Sequence, residues 1–207
     1  MTAQRAIAGA ETRRPRTLLI ACGALAREVL DLIHHNGWDH MELTCLPAKW
    51  HMTPEKIPEG VRAKIRAARP EYDRIYVLYA DCGTSGALDR VLEEENVERL
   101  PGPHCYATFL TQSTFEAVHD DDPTAFYLTD FLVRHFERLV IEGLGIDRFP
   151  ELAEIYFGNY TRMIYIAQTD DTALQDKARQ VSERLGLRYE YRPAGYGELE
   201  TFLQAAG

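Results

Sequence analysis

Short apolar runs of strand length alternate with segments of helical period along almost the whole chain, and this alternation limits the fold more than any other feature. Strands are predicted at about residues 17–21, 41–46, 74–80, 97–100, 125–128, 162–167 and 187–191. A helix over 24–35 carries Leu25, Val29, Leu32 and Ile33 on one face and is stopped by Asn36-Gly37. Further helical patterns cover 59–68, 85–95, 106–110, 112–118, 150–157, 172–185 and 198–204, and residues 131–142 read as one long amphipathic helix ended by Gly143-Leu144-Gly145. This order predicts an α/β protein with an open, mostly parallel, doubly wound (Rossmann-like) sheet and helices on both faces. The acidic run Asp120-Asp121-Asp122-Pro123 is either a hinge or a solvated loop. As a hinge it divides the chain into an α/β half over 17–122 and a similar second half over 123–207, behind a flexible tail over 1–16.

With 207 residues, 45% of them hydrophobic and 27% charged, the chain is large enough for an ordinary core. Its net charge of −9 disfavours non-specific binding to nucleic acid or to an anionic membrane, both of which need clustered cations. No run approaches the roughly 20 apolar residues that span a bilayer. The expected partners are a small-molecule ligand or a protein with a basic patch. Arg5, Arg13, Arg14 and Arg16 precede the first strand without an apolar stretch, which is not a secretory signal, so a cytoplasmic location is expected. Thiols in that compartment are reduced and point to metal binding or catalysis before disulfides.

Three of the four cysteines follow predicted strands. Cys22 ends the first strand, Cys82 follows the third, and Cys105 follows the fourth after a Pro101-Gly102-Pro103-His104 turn. In a parallel sheet all three emerge at the carboxyl edge, where open α/β sheets bind ligands. Cys22, Cys82 and Cys105 are therefore the expected ligands of a metal, either zinc or the iron of an iron–sulfur cluster. No Cys-x-x-Cys pair is present, so convergence rests on the sheet alone. At a helix N-terminus the Cys22 thiol is expected to have a lowered pKa, unless it is simply a small buried apolar group. Cys45, among Leu43, Thr44 and Leu46, reads as core.

His51, in the loop after the second strand, His104, beside Cys105, and Glu28, on the first helix, are the candidate acid–base groups or supports for metal ligands. His135 is a further histidine in the long helix. The turn Gly83-Thr84-Ser85-Gly86, between a strand and a helix, is the expected cofactor-binding loop, since amides facing outward from such a turn form an anion site. The segment after Cys22 lacks the Gly-x-Gly-x-x-Gly spacing of a dinucleotide loop.

The ordered series Ile20-Ala21-Cys22-Gly23-Ala24-Leu25, Pro47 to Ile57 with His51, Asp81-Cys82-Gly83-Thr84, Gly102-Pro103-His104-Cys105-Tyr106, Leu128-Thr129-Asp130 with His135, and Gly195-Tyr196-Gly197 resembles the prokaryotic family called domain of unknown function 1638. The resemblance covers nearly the whole chain after Thr17 and carries no established catalytic residue. Association of that family with corrinoid-dependent methyltransferases implies a setting in one-carbon metabolism. The resemblance and the cysteine pattern together leave two expectations. One is a metal-thiolate enzyme of methyl transfer to or from a small molecule or a corrinoid protein. The other is a non-catalytic accessory protein that binds a metal, a cluster or a corrinoid protein of a methyltransferase system.

Overall fold

The computed structural model describes residues 14–207. Most of the expected N-terminal tail thus lies outside the described residues, and Arg16, at its end, is fixed by main-chain hydrogen bonds from Asp73 and Arg74. The elements, in order, are β1 (Thr17–Cys22), α1 (Ala26–Asn36), β2 (Met41–Leu46), α2 (Ile57–Ala68), β3 (Arg74–Leu78), α3 (Ala87–Glu95), β4 (Glu98–Arg99), α4 (Cys105–Leu110), α5 (Gln112–Asp121), β5 (Ala125–Thr129), α6 (Asp130–Arg134), α7 (Leu152–Phe157), β6 (Arg162–Ala167), α8 (Thr172–Leu185), β7 (Arg188–Pro193) and α9 (Gly197–Ala206). The strands form two parallel sheets, in the orders β2-β1-β3-β4 and β5-β6-β7.

The period of two along each strand sorts its side chains into layers. Leu18 and Ile20 of β1 face the helices α2 and α3, packing with Val61, Ile65 and Leu88. Leu19 and Ala21 face the other way, into a core shared with α1, α4, α5 and α9. Ile164 and Ile166 of β6 enter that same core from the far side. Met163 and Tyr165 point outward to α6 and α8 with Val133, Ala178 and Val181. One helical layer is therefore sandwiched between two parallel sheets, each with a further helical layer outside it. Strands buried on both faces must be largely apolar, as β1 is after Thr17 and β6 after Arg162.

Two elements differ from their sequence expectation. The single long helix over 131–142 is instead the short α6 followed by a π turn over Glu137–Ile141. Phe136 and Ile141 are both buried in the outer core though five residues apart. A regular helix would point them in different directions, whereas the wider π repeat brings them to one side. The acidic run lies between the last strand of the first sheet and the first strand of the second, and it is anchored rather than a free loop. Asp120 and Asp121 finish α5, and Asp122 accepts hydrogen bonds from the Thr124 amide (2.9 Å) and hydroxyl (2.5 Å). Its carboxylate also pairs with the buried Arg162 at 3.0 Å.

The turn between β2 and α2, Ala48–Met52, is held by Trp50, whose ring covers Gly60 on α2. A Cβ at Gly60 would overlap that ring. Gly60→Ala should therefore destabilise the fold by about 1–3 kcal/mol through overpacking, reversing the roughly 1 kcal/mol that alanine normally gains over glycine within a helix. Urea unfolding of the variant checks the sign.

Candidate functional site

The carboxyl ends of the first sheet and of β5 face a common cavity of about 770 Å³. Cys22 reaches it from the end of β1, Cys82 from the loop after β3, and Cys105 from the first position of α4. Tyr79 and Tyr106 lie beside these thiols, and Phe131, Leu132, Val140, Leu144, Phe157 and Tyr160 form much of the opposite wall. The thiol end is stitched together by main-chain bonds: the Cys82 amide donates to the Pro103 carbonyl (2.8 Å) and the Asp81 amide to the Gly102 carbonyl (3.0 Å). These bonds hold the loop after β3 against the loop that opens α4. Cys45 is half-buried in β2 against the shared core, as its apolar neighbours suggest.

Burial raises all three thiol pKa values, and at Cys82 and Cys105 repulsion from neighbouring thiolates adds to it. Cys82 is pushed up to about 12, by desolvation first and then by Cys22. Cys105 is pushed higher still, by desolvation, Cys82 and Cys22. The expected lowering at Cys22 is not found. Desolvation outweighs the Ala24 amide that stabilises its thiolate, so its pKa is raised. The thiols are thus protonated at neutral pH. Tyr79 is buried with a hydroxyl that has no hydrogen-bond partner of good geometry, and Cys22 is the thiol that acts on it most strongly. In the sequence Tyr79 is legible only as a strand residue. A tyrosine directly after the apolar Val77-Leu78 end of β3 is the signal that marks it.

The loop after Cys82 is not the open anion cradle expected of Gly83, Thr84, Ser85 and Gly86. Its own Asp81 fills that role. The carboxylate accepts the Thr84 hydroxyl at 2.8 Å, the Gly86 amide at 2.9 Å and the Ser85 amide at 3.2 Å. Desolvation pushes the Asp81 pKa up, but hydrogen bonds from Gly86, Thr84, Ser85 and Gly83 outweigh it and leave the pKa lowered. The turn runs through positive φ at Cys82 (48°), Gly83 (83°), Ser85 (53°) and Gly86 (76°). Only the glycines adopt such angles freely, so Cys82 and Ser85 carry backbone strain of order 1 kcal/mol each. The strain places the Cys82 side chain in the cavity.

The candidate acid–base groups divide. His51 is exposed and lines the cavity. His104 does not line it. Its Nδ1 accepts the Ala107 amide at 3.5 Å as the N-cap of α4, and its ring packs on Phe115 with centroids 4.5 Å apart. His135 ends α6 against Phe131, 4.8 Å away, and is also off the cavity wall. Glu28, on α1 one turn beyond Ala24 and Leu25, is 3% exposed, and its Oε2 has no partner. Desolvation first, and then Asp130, raise its pKa. Asp130 itself is fully buried and well satisfied: it accepts from Tyr165 Oη (2.7 Å), the Gln168 amide (3.0 Å) and Thr169 Oγ1 (2.5 Å). It locks the carboxyl ends of β5 and β6 together.

Among the described residues no group of three or more His, Cys, Asp or Glu side chains is arranged to hold a metal ion. Cys22, Cys82 and Cys105 share a cavity, but as placed they do not form a ready zinc or iron–sulfur site.

These environments give two stability tests. A raised folded pKa gives stability that is complete below the unfolded pKa and lost as pH rises. Cys82 therefore weakens the fold from about pH 8.5, the unfolded thiol value, toward about pH 12. Wild type should lose about 1–2 kcal/mol more than Cys82→Ala between pH 8 and pH 10, read from urea midpoints. The Glu28 carboxyl is likewise a liability above the unfolded range near pH 4.3. Glu28→Gln should raise the thermal midpoint at pH 7 and make no difference near pH 4.

No curated protein matches the chain. A family model described as "Protein of unknown function (DUF1638)" matches residues 45–203, from Cys45 in β2 to Leu203 in α9. Cys82, Cys105, His51 and the whole second sheet fall inside the match, whereas β1 with Cys22, and Glu28 on α1, lie outside it. The match covers most of the sequence, and the chain belongs to the DUF1638 family.

Proposed function

We propose that the chain binds a small organic molecule in the cavity between its two sheets, and that the three thiols form the chemically active end of that site. The observation that supports this reading is the convergence of Cys22, Cys82 and Cys105, from three separate strand ends, on one cavity whose remaining walls are mostly apolar and aromatic. A cavity of about 770 Å³ is in the range of small-molecule sites. Strained backbone at Cys82 adds support, because strain of this kind persists where a side chain must be held in an otherwise unfavourable position.

Protonated thiols are poor nucleophiles and poor metal ligands until the proton leaves. The active end therefore needs a ligand or metal that makes thiolate formation favourable. A metal-thiolate protein of one-carbon metabolism is the second reading, with zinc or an iron–sulfur cluster on Cys22, Cys82 and Cys105. It would act in methyl transfer or as an accessory to a corrinoid protein or methyltransferase. The mutual electrostatic influence of the three sulfurs favours it. Such a group would require the side chains to turn toward one another, and its uptake would release protons and strengthen with pH.

One experiment separates the two readings. Protein purified without oxygen is analysed for metals and then alkylated with iodoacetamide, with mass spectrometry assigning each cysteine. The cavity reading expects slow labelling of Cys22, Cys82 and Cys105 at pH 7, faster labelling at pH 9, and suppression by Leu144→Trp, which fills the cavity from the opposite wall. Labelling indifferent to Leu144→Trp overturns it. Near-stoichiometric zinc or iron, lost in both Cys82→Ser and Cys105→Ser, establishes the metal reading.

A further inference from the structure

The chain carries 32 acidic against 23 basic residues, yet among the described residues no aspartate or glutamate lines the cavity. The formally charged side chains on its wall are Lys49 and Arg138, with His51 beside Lys49. They come from different halves of the structure. Lys49 and His51 sit on the turn between β2 and α2, and Arg138 sits on the π turn after α6. All three are exposed, which places them at the mouth rather than the floor. Neither Lys49 nor Arg138 is tied up in an ion pair among the described residues. Elsewhere on this surface arginines are commonly paired: Arg62 with Glu94 at 2.6 Å, Arg99 with Asp89 at 2.5 Å, and Arg184 with Glu137 at 2.7 Å. Arg184 takes the carboxylate next to Arg138 in sequence, and Arg138 keeps its own charge toward the cavity.

We infer that the cavity takes an amphipathic organic anion, with an apolar or aromatic body against the inner wall and a carboxylate, sulfonate or phosphate at the mouth near Lys49 and Arg138. This deepens the reading of the cavity as a small-molecule site and rests on it. Unpaired cations on a cleft with low-dielectric walls focus positive potential locally even where the net charge is −9. An anion entering the mouth meets donors that need not first break an existing salt bridge. The inner wall has no counterpart for a second charge: Phe131, Leu132, Val140, Leu144 and Phe157 offer apolar surface, and the thiols beyond them are neutral. The site thus selects one charged end and one apolar end. Contributions from both halves mean that an anion bridging Lys49 and Arg138 also ties the turn after β2 to the turn after α6.

The test uses two dyes of matched body, anilinonaphthalene sulfonate and the uncharged N-phenyl-naphthylamine, titrated by fluorescence into the whole protein. Wild type, the double variant Lys49→Met with Arg138→Met, and Leu144→Trp are compared. The inference expects the double variant to lose about tenfold in affinity for the sulfonate, consistent with two partly exposed ionic contacts, and to keep its affinity for the amine. In wild type, added salt should weaken the sulfonate and spare the amine. Equal sulfonate affinity in wild type and the double variant, with both dyes excluded by Leu144→Trp, overturns the anion inference and leaves the cavity reading standing. Dyes that bind Leu144→Trp as well as wild type overturn the cavity reading and the inference together.

Discussion

The structure depends on one layer of helices packed between two parallel sheets. Each sheet gives that layer every second residue of its strands: Leu19 and Ala21 from β1, Ile164 and Ile166 from β6. α1, α4, α5 and α9 must therefore be apolar toward both sheets at once, as Leu32, Phe109, Phe115 and Leu203 show. Because the layer is shared, the two sheets cannot be repacked independently. The carboxyl ends of β1 and β3 and the end of β5 open onto one cavity because this layer sets the distance between them.

Three carboxylates show how differently the fold treats buried or half-buried charge. Asp81 takes the amides of its own turn and so substitutes for an external anion. Asp130 collects a phenol, an amide and a hydroxyl, and its burial joins two strand ends. Glu28 has an oxygen with no partner, and its proton must compensate. The thiols are handled in the same way as Glu28. They are kept neutral by surroundings in which desolvation outweighs what is offered to a charge, and the backbone at Cys82 takes a positive φ of 48°.

Much of the fold is legible in the sequence because strand and helix periods are local properties. β2 and β6 match their predicted spans, and β1 extends one residue further; β1 and β6 announce themselves as nearly continuous apolar runs, whereas β2, with Glu42 and Thr44, is only partly buried. The break in the long helix over 131–142 is not legible, because a π turn has no composition of its own; only the burial of both Phe136 and Ile141 reveals it. At the site, the arrival of three thiols at one sheet edge can be read from strand ends. Their pKa values cannot, since at Cys22 desolvation overrides the helix-terminal amide. Nor can the fate of the Gly83–Gly86 turn be read. Gly-Thr-Ser-Gly looks the same whether its amides face a phosphate or the preceding aspartate, and the deciding contact is a side-chain orientation. His104 escapes sequence reasoning for a similar reason. Adjacent to Cys105 in sequence, it sits on the opposite side of the helix start, where an imidazole nitrogen caps α4.

The π turn at Glu137–Ile141 houses one more residue than a regular turn. Removing a single residue there would rewind the segment into an ordinary helix, rotating the downstream residues by about 100°. Leu139, Val140, Gly143 and Leu144 would swing off the cavity wall while Phe136 stayed in the outer core. The size of the chamber is adjustable by a one-codon change that leaves both sheets untouched.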